Sequence, residues 1–270
     1  MLSVRLPRAR RPDETDSAIY WNEARQPLQI LAFLLPLVVA YELGLALLLR
    51  SDQGVLTNKA HETLLVFFDR LGVPAAGGLY LGGVVIVVVM LVWHLLTRDR
   101  WRIEPSTVGL MAIEAVVLTL PLLVLGQVIS QTALTTLAQT TGPGALGDQL
   151  ASLSVPSKMA ISVGAGLYEE LLFRMVLIAV IHTLLVDAAK LSHAAGATVA
   201  VVVSAAAFTV YHPVRDAVGT VSVRKVAFFF LAGLYFAGIY VLRGFGIVVA
   251  VHALYDVVTV LLLTDGATGE

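Results

Sequence analysis

The residues of this chain that could do chemistry lie inside apolar runs. Glu169 and Glu170 open an E-E-x-x-x-R pattern that closes at Arg174, within the apolar stretch 157–185. Phe208 and His212 make an F-x-x-x-H pattern followed directly by Pro213, and His252 stands four residues before Asp256 in an otherwise apolar run. An ionisable side chain deep in hydrocarbon costs at least about 2.5–3.5 kcal/mol on insertion scales, so each of these needs a partner, a wet recess or a function. Counted from residue 157, the two glutamates fall roughly 18–20 Å along a helix, near mid-bilayer.

Spacing separates their roles. Glu170 and Arg174 are i and i+4 on one helix face, which predicts an ion pair that needs no outside help. Glu169 is rotated by about 100° from Glu170 and is left as the free carboxylate, suited to act as a base toward water. Pro213 disturbs the helix where His212 projects. His252 and Asp256 share one face one turn apart, which predicts a His–Asp pair. Glu42 and Glu114 lack a local partner and are read as structural or supporting groups. His61, His182 and His193 have none at useful spacing and are expected near interfaces, while His94 belongs to the Trp93 end of its run.

The elements that must position these groups follow from composition. Of 270 residues, 58% are hydrophobic and 14% charged, well short of the roughly 25% charge of a soluble domain. Disorder is excluded by the same values, and the absence of cysteine removes disulfides, thiolate metal sites and Cys nucleophiles. A net charge of −1 gives no basic field for nucleic acid. The expected fold is all-α, a polytopic transmembrane bundle with seven spans near 28–49, 75–97, 106–131, 157–185, 196–212, 226–242 and 244–263. The last two are divided only by Arg243-Gly244, so a tight turn is predicted there.

Residues 1–27 form a polar tail with Arg5, Arg8, Arg10, Arg11 and Arg25; the run 28–49 is longer than a signal-peptide core and is read as a retained span. Residues 28–131 hold three N-terminal spans, and 155–263 the helical core that carries the motifs. Near 56–71, Ala60, Leu64, Phe67, Phe68 and Leu71 follow helical spacing with charges elsewhere on the wheel. That pattern fits a helix lying in the interface or one packed on the bundle. With the N-terminus cytoplasmic, that side collects ten Lys and Arg against seven on the other. The expected partners are therefore the lipid bilayer and a membrane-embedded or lipid-anchored substrate.

The three motifs in this order resemble the CPBP family, the type II CAAX prenyl endopeptidases with their Abi-like bacterial relatives, over roughly residues 155–263. The resemblance implies an intramembrane protease. It implies that Glu169 is the catalytic glutamate, that His212 shares in activating water, and that His252 and Asp256 stabilise the oxyanion, with Glu170 and Arg174 in support. Two departures stand out: Met175 follows Arg174 where relatives commonly have Gly, and Asp256 stands where relatives often have Asn. A carboxylate is a poor oxyanion donor, which makes Asp256 more plausible as an orienting partner for His252.

The same side chains leave other chemistry open. Glu169, His212 and His252 could equally ligate zinc with a position free for water; a metal-free site is preferred because Glu170 is committed to Arg174 and HExxH spacing is absent. The alternative functions are a proton-coupled transporter using intramembrane Glu and His as a relay, and a non-catalytic membrane scaffold or immunity protein.

Overall fold

The computed structural model describes residues 16–51, 54–129, 153–216 and 219–267. The tail arginines Arg5, Arg8, Arg10 and Arg11 and the end of the third predicted run lie outside the described residues. In chain order, α1 is Asp16–Glu23 and α2 is Pro27–Leu47; a two-residue hairpin follows, β1 (Arg50–Ser51) antiparallel to β2 (Gly54–Val55). Next come α3 (Lys59–Arg70), α4 (Ala75–Gly78), α5 (Leu81–Thr97) and α6 (Pro105–Ile129). The remaining helices are α7 (Val155–Ala188), α8 (His193–Tyr211), α9 (Val223–Arg243) and α10 (Phe245–Ala267). Six of these are long and apolar enough to cross a membrane, and α5 is a shorter apolar helix of 17 residues. Together they account for the seven expected spans.

Local chemistry sets the boundaries. Side chains of Ser154, Ser192 and Ser222 accept from backbone N–H groups at the starts of α7, α8 and α9, so these helices begin two to three residues before the apolar runs do. At the far end of α8, Pro213 disfavours helical backbone in the residue before it, and His212 is extended at φ −88°, ψ 159°. Between α9 and α10 the predicted tight turn is made by Gly244 at φ 91°, a conformation that side chains with a Cβ resist.

The 34 residues of α7 would span about 50 Å at regular helical rise, more than the roughly 30 Å of bilayer hydrocarbon. Regular α winding holds from Val155 to Glu170 and then widens to π winding over Leu171–Ile178, directly after the paired glutamates. Wide turns of this kind recur at functional sites. Inside the widened stretch, the Phe173 carbonyl accepts the Ser204 hydroxyl of α8 at 2.8 Å.

The core is organised around α7 and α10, the most extensive helix contact among the described residues. Gly166 permits it: a Cβ there would lie 2.8 Å from the Ala253 nitrogen and 2.9 Å from the Val249 carbonyl oxygen. At one end of the bundle, the Ser157 hydroxyl donates to the Leu48 carbonyl, and Lys59 Nζ to the Tyr211 carbonyl at 2.8 Å. Thus α3 is packed onto the bundle by Ala60, His61 and Phe68, while Phe67 and Leu71 face outward.

At the opposite end, Glu114 of α6 receives the Arg243 guanidinium and the Tyr20 hydroxyl, and Arg243 lies 3.6 Å from the Trp21 ring centroid. Glu114 therefore does have a partner, 129 residues away, and its role is to fasten α1, α6 and α9 together. His61 departs from the expectation of an interfacial place. His61 is fully buried, bonded through Nδ1 to the Tyr41 hydroxyl at 2.8 Å and stacked on Tyr168. Burial pushes its pKa down to about 4. His182 and His193 stack on each other, with centroids 5.6 Å apart.

Candidate active site

Helices α7, α8 and α10 bring the three motifs to one place. Glu169 Oε2 lies 3.5 Å from His212 Nε2 and 4.0 Å from His252 Nε2. Among the described residues, that oxygen is buried and has no hydrogen-bond partner. The carboxylate that spacing left free is the one facing both imidazoles.

The other carboxylate has two tasks. Glu170 Oε2 is 3.0 Å from Arg174 Nε, both side chains being wholly inaccessible, and Glu170 Oε1 accepts from His252 Nδ1 at 2.7 Å. Arg174 is further held by an aromatic cage. Its guanidinium lies 4.5 Å from the Phe208 centroid and 5.4 Å from that of Phe236, and its Nη2 donates to the Gly233 carbonyl. The anticipated Glu170–Arg174 pair is present, but it is half of an Arg174–Glu170–His252 chain.

This arrangement changes the reading of Asp256. Its Oδ2 lies 3.6 Å from His252 Nε2, on the face turned toward Glu169, and too far for a hydrogen bond. The predicted His252–Asp256 pair is present as an ion-pair contact, and Glu170, on the other ring nitrogen, supplies the hydrogen bond that orients the ring.

Hydrogen bonding also fixes the sense of each ring. His212 Nδ1 sits 2.7 Å from the Phe208 carbonyl oxygen, which can only accept, so Nδ1 carries the proton and a neutral ring offers its Nε2 lone pair to Glu169. His252 Nδ1 likewise donates to the arginine-paired Glu170 carboxylate. Glu169 and His212 therefore turn acceptors toward the space between them, while His252 Nε2 accepts there when its ring is neutral and donates when it is doubly protonated. A water molecule about 2.8 Å from each of two such atoms could donate both of its protons there.

A fourth helix contributes without any polar group. Phe229 of α9 stacks on His212, centroids 4.3 Å apart at 27°, and Phe236 stacks on His252 at 4.6 Å and 17°. The two phenylalanines are i and i+7, two turns apart on one face of α9, and both are buried. Sequence reasoning missed this pair, because phenylalanine in an apolar run reads as span filling; their helical spacing was the only available signal.

The remaining buried acid, Glu42, stands apart from this constellation, next to Gly83 and the Tyr168 ring. Side-chain exposure grades through the site, from none at Arg174 and Glu170 to 8% at Glu169, 12% at His212 and 13% at Asp256. Among the described residues, no group of three or more His, Asp or Glu side chains is placed to hold a metal ion.

The segment that contributes all of these residues can be compared with known families. Residues 151–258 match the family model of the Rce1-like type II CAAX prenyl endopeptidases. No curated protein and no solved structure matches the chain significantly. The Rce1-like match implies a protease, with a peptide or protein substrate in a membrane setting. It spans the E-E-x-x-x-R, F-x-x-x-H and H-x-x-x-D patterns together, and the six long apolar helices suit an integral, multi-pass membrane protein.

Proposed function

We propose that the protein is a glutamate-dependent intramembrane endopeptidase that cleaves a membrane-associated protein or peptide near the bilayer surface. The observation that carries this reading is the approach of the unpartnered Glu169 Oε2 to the Nε2 atoms of both His212 and His252, at 3.5 and 4.0 Å.

In this mechanism Glu169 and His212 together bind a water and remove its proton as its oxygen attacks the scissile carbonyl carbon. The carbonyl π electrons move onto oxygen, and the resulting oxyanion is met by His252, which can donate from Nε2 when doubly protonated. Such a donor is worth roughly 3–4 kcal/mol in a well-formed site. Collapse breaks the C–N bond, and the proton held by Glu169 and His212 passes to the leaving amine. Glu170 and Arg174 keep the His252 ring in register, and Asp256 lies beside His252 Nε2.

The test is hydrolysis of candidate membrane peptides by purified protein. Glu169→Gln and His212→Ala are expected to lose at least about 10²-fold in kcat while keeping the thermal unfolding profile of the parent. Activity should survive a chelator. Unchanged hydrolysis in Glu169→Gln would overturn the proposal, and loss of activity on chelation with recovery on adding zinc would replace the metal-free mechanism by a zinc-dependent one.

A further inference from the structure

We propose that the Tyr211 hydroxyl is a further catalytic group, a neutral hydrogen-bond donor to the oxyanion that forms on the scissile peptide. This rests on the hydrolase reading and adds to it a residue that falls at a variable position of the F-x-x-x-H pattern.

The need for such a donor comes from the balance of polar groups at the site. Glu169 and Asp256 are carboxylates, and His212 turns its Nε2 lone pair inward because Nδ1 is engaged by the Phe208 carbonyl. A peptide carbonyl that is turning into an oxyanion requires N–H or O–H groups aimed at it. His252 supplies one only while it is doubly protonated. Arg174 has an unpartnered Nη1, but its side chain is wholly inaccessible and held by Glu170. Lys59 is already committed, its Nζ donating to the Tyr211 carbonyl at 2.8 Å.

Tyr211 is the last residue of α8 and the neighbour of His212. Its ring is fixed by three contacts: Phe173 edge-on at 5.1 Å, His212 at 5.4 Å, and Lys59 Nζ over its face at 4.2 Å from the centroid. The ring is partly exposed, yet its hydroxyl oxygen is buried and, among the described residues, has no hydrogen-bond partner. Of the charged groups around that hydroxyl, Glu169 acts on it most strongly, followed by Glu62 of α3. An unpaired buried hydroxyl destabilises a fold, and phenylalanine would fill the same space without that penalty. Glu169 Oε2, the atom assigned to water, shows the same combination of burial and no partner. The two atoms together suit a peptide under attack: an acceptor for the proton of water, and a donor for the carbonyl oxygen. The phenol proton stays on Tyr211 throughout. Its hydrogen bond strengthens as negative charge grows on the carbonyl oxygen, so it favours the transition state over the bound substrate.

Tyr211→Phe keeps the ring and its three contacts and removes only the hydroxyl. Two probes are offered to the full chain in detergent: a membrane peptide that the parent hydrolyses, and a phosphinic analogue of that peptide, whose tetrahedral P–O⁻ imitates the oxyanion. Tyr211→Phe should lower kcat about 10- to 100-fold with KM within about twofold, the loss expected for one donor to a developing charge. Affinity for the phosphinic peptide should weaken by a similar factor, because both states lose the same hydrogen bond. The Tm should equal or exceed that of the parent. Parent-level turnover or unchanged affinity for the phosphinic peptide would overturn the assignment. A kcat that falls only in step with a lowered Tm would show a structural hydroxyl and overturn it as well. Unchanged turnover in Glu169→Gln refutes the hydrolase mechanism and this role with it, whereas an inactive Glu169→Gln beside a fully active Tyr211→Phe refutes this role alone.

Discussion

Glu170 is shared between a buried cation and a catalytic imidazole, and this makes stability and activity separable by mutation. Glu170→Leu leaves Arg174, whose side chain is wholly inaccessible, facing one carbonyl contact at 3.4 Å and an aromatic cage. Stranding one member of a buried ion pair typically costs about 3–5 kcal/mol, which for a chain of this size lowers Tm by roughly 10 °C. The double variant Glu170→Leu/Arg174→Met removes the stranded charge as well, and apolar replacement of a whole buried pair is often neutral or stabilising by about 1–4 kcal/mol. Most of the lost Tm should therefore return. Hydrolysis should not return, because His252 Nδ1 has still lost the acceptor that sits 2.7 Å away in the parent. Loss of the acid that orients a catalytic histidine costs between about 10²- and 10⁴-fold. Thermal unfolding in detergent and turnover of a membrane peptide, measured on the same preparations, read the two effects. A single variant as stable as the parent, or a double variant that regains full turnover, would refute the reasoning.

Three further outcomes are expected. Phe229→Leu and Phe236→Leu should each lower kcat about three- to tenfold with little change in KM, since ring stacking is worth roughly 0.5–1.5 kcal/mol, and Phe→Tyr at either position should retain most of the rate; a purely thermal effect would show that these rings only fill space. Gly166→Ala drives a methyl group onto the α10 backbone at Val249 and Ala253, so unfolding experiments should show a loss of about 1–3 kcal/mol, with turnover falling as His252 is displaced. His61 is held neutral by burial, with its pKa pushed from 6.5 to about 4. Between those values the unfolded chain binds more protons, so His61 contributes stability that is complete above pH 6.5 and lost as pH falls toward 4, roughly 3 kcal/mol at about 1.4 kcal/mol per unit. The Tm of the parent should drop more steeply across that window than that of His61→Phe; parallel profiles would contradict the assignment.

What could be read from the sequence was what depends on neighbours within one helix. The Glu170–Arg174 pair, the free Glu169, the seven apolar helices and the turn at Gly244 all follow from spacing, hydropathy and backbone preference. Relations across helices were hidden. Glu170 reaches His252 over 82 positions and Glu114 reaches Arg243 over 129, and no local periodicity encodes either. Asp256 shows how far local spacing reaches: i,i+4 geometry put it beside His252, where it lies at 3.6 Å, but a neighbouring helix supplies the closer carboxylate, to the other nitrogen. His61 looked interfacial because its partners, Tyr41 and Tyr168, arrive from α2 and α7.

The change of winding after Glu170 constrains what can be done to this stretch of chain. Each residue of a regular helix advances the azimuth by about 100°, and the wide turns of Leu171–Ile178 absorb a surplus of chain between the acid pair and the remainder of α7. Excising a single residue there would let the backbone relax to ordinary pitch with everything downstream, including the residues that meet α8, close to its present azimuth, whereas excision from the regular winding before Glu170 would swing it by about 100°. The octet is thus where this helix can give up a residue, provided Arg174 and the Phe173 carbonyl keep their places.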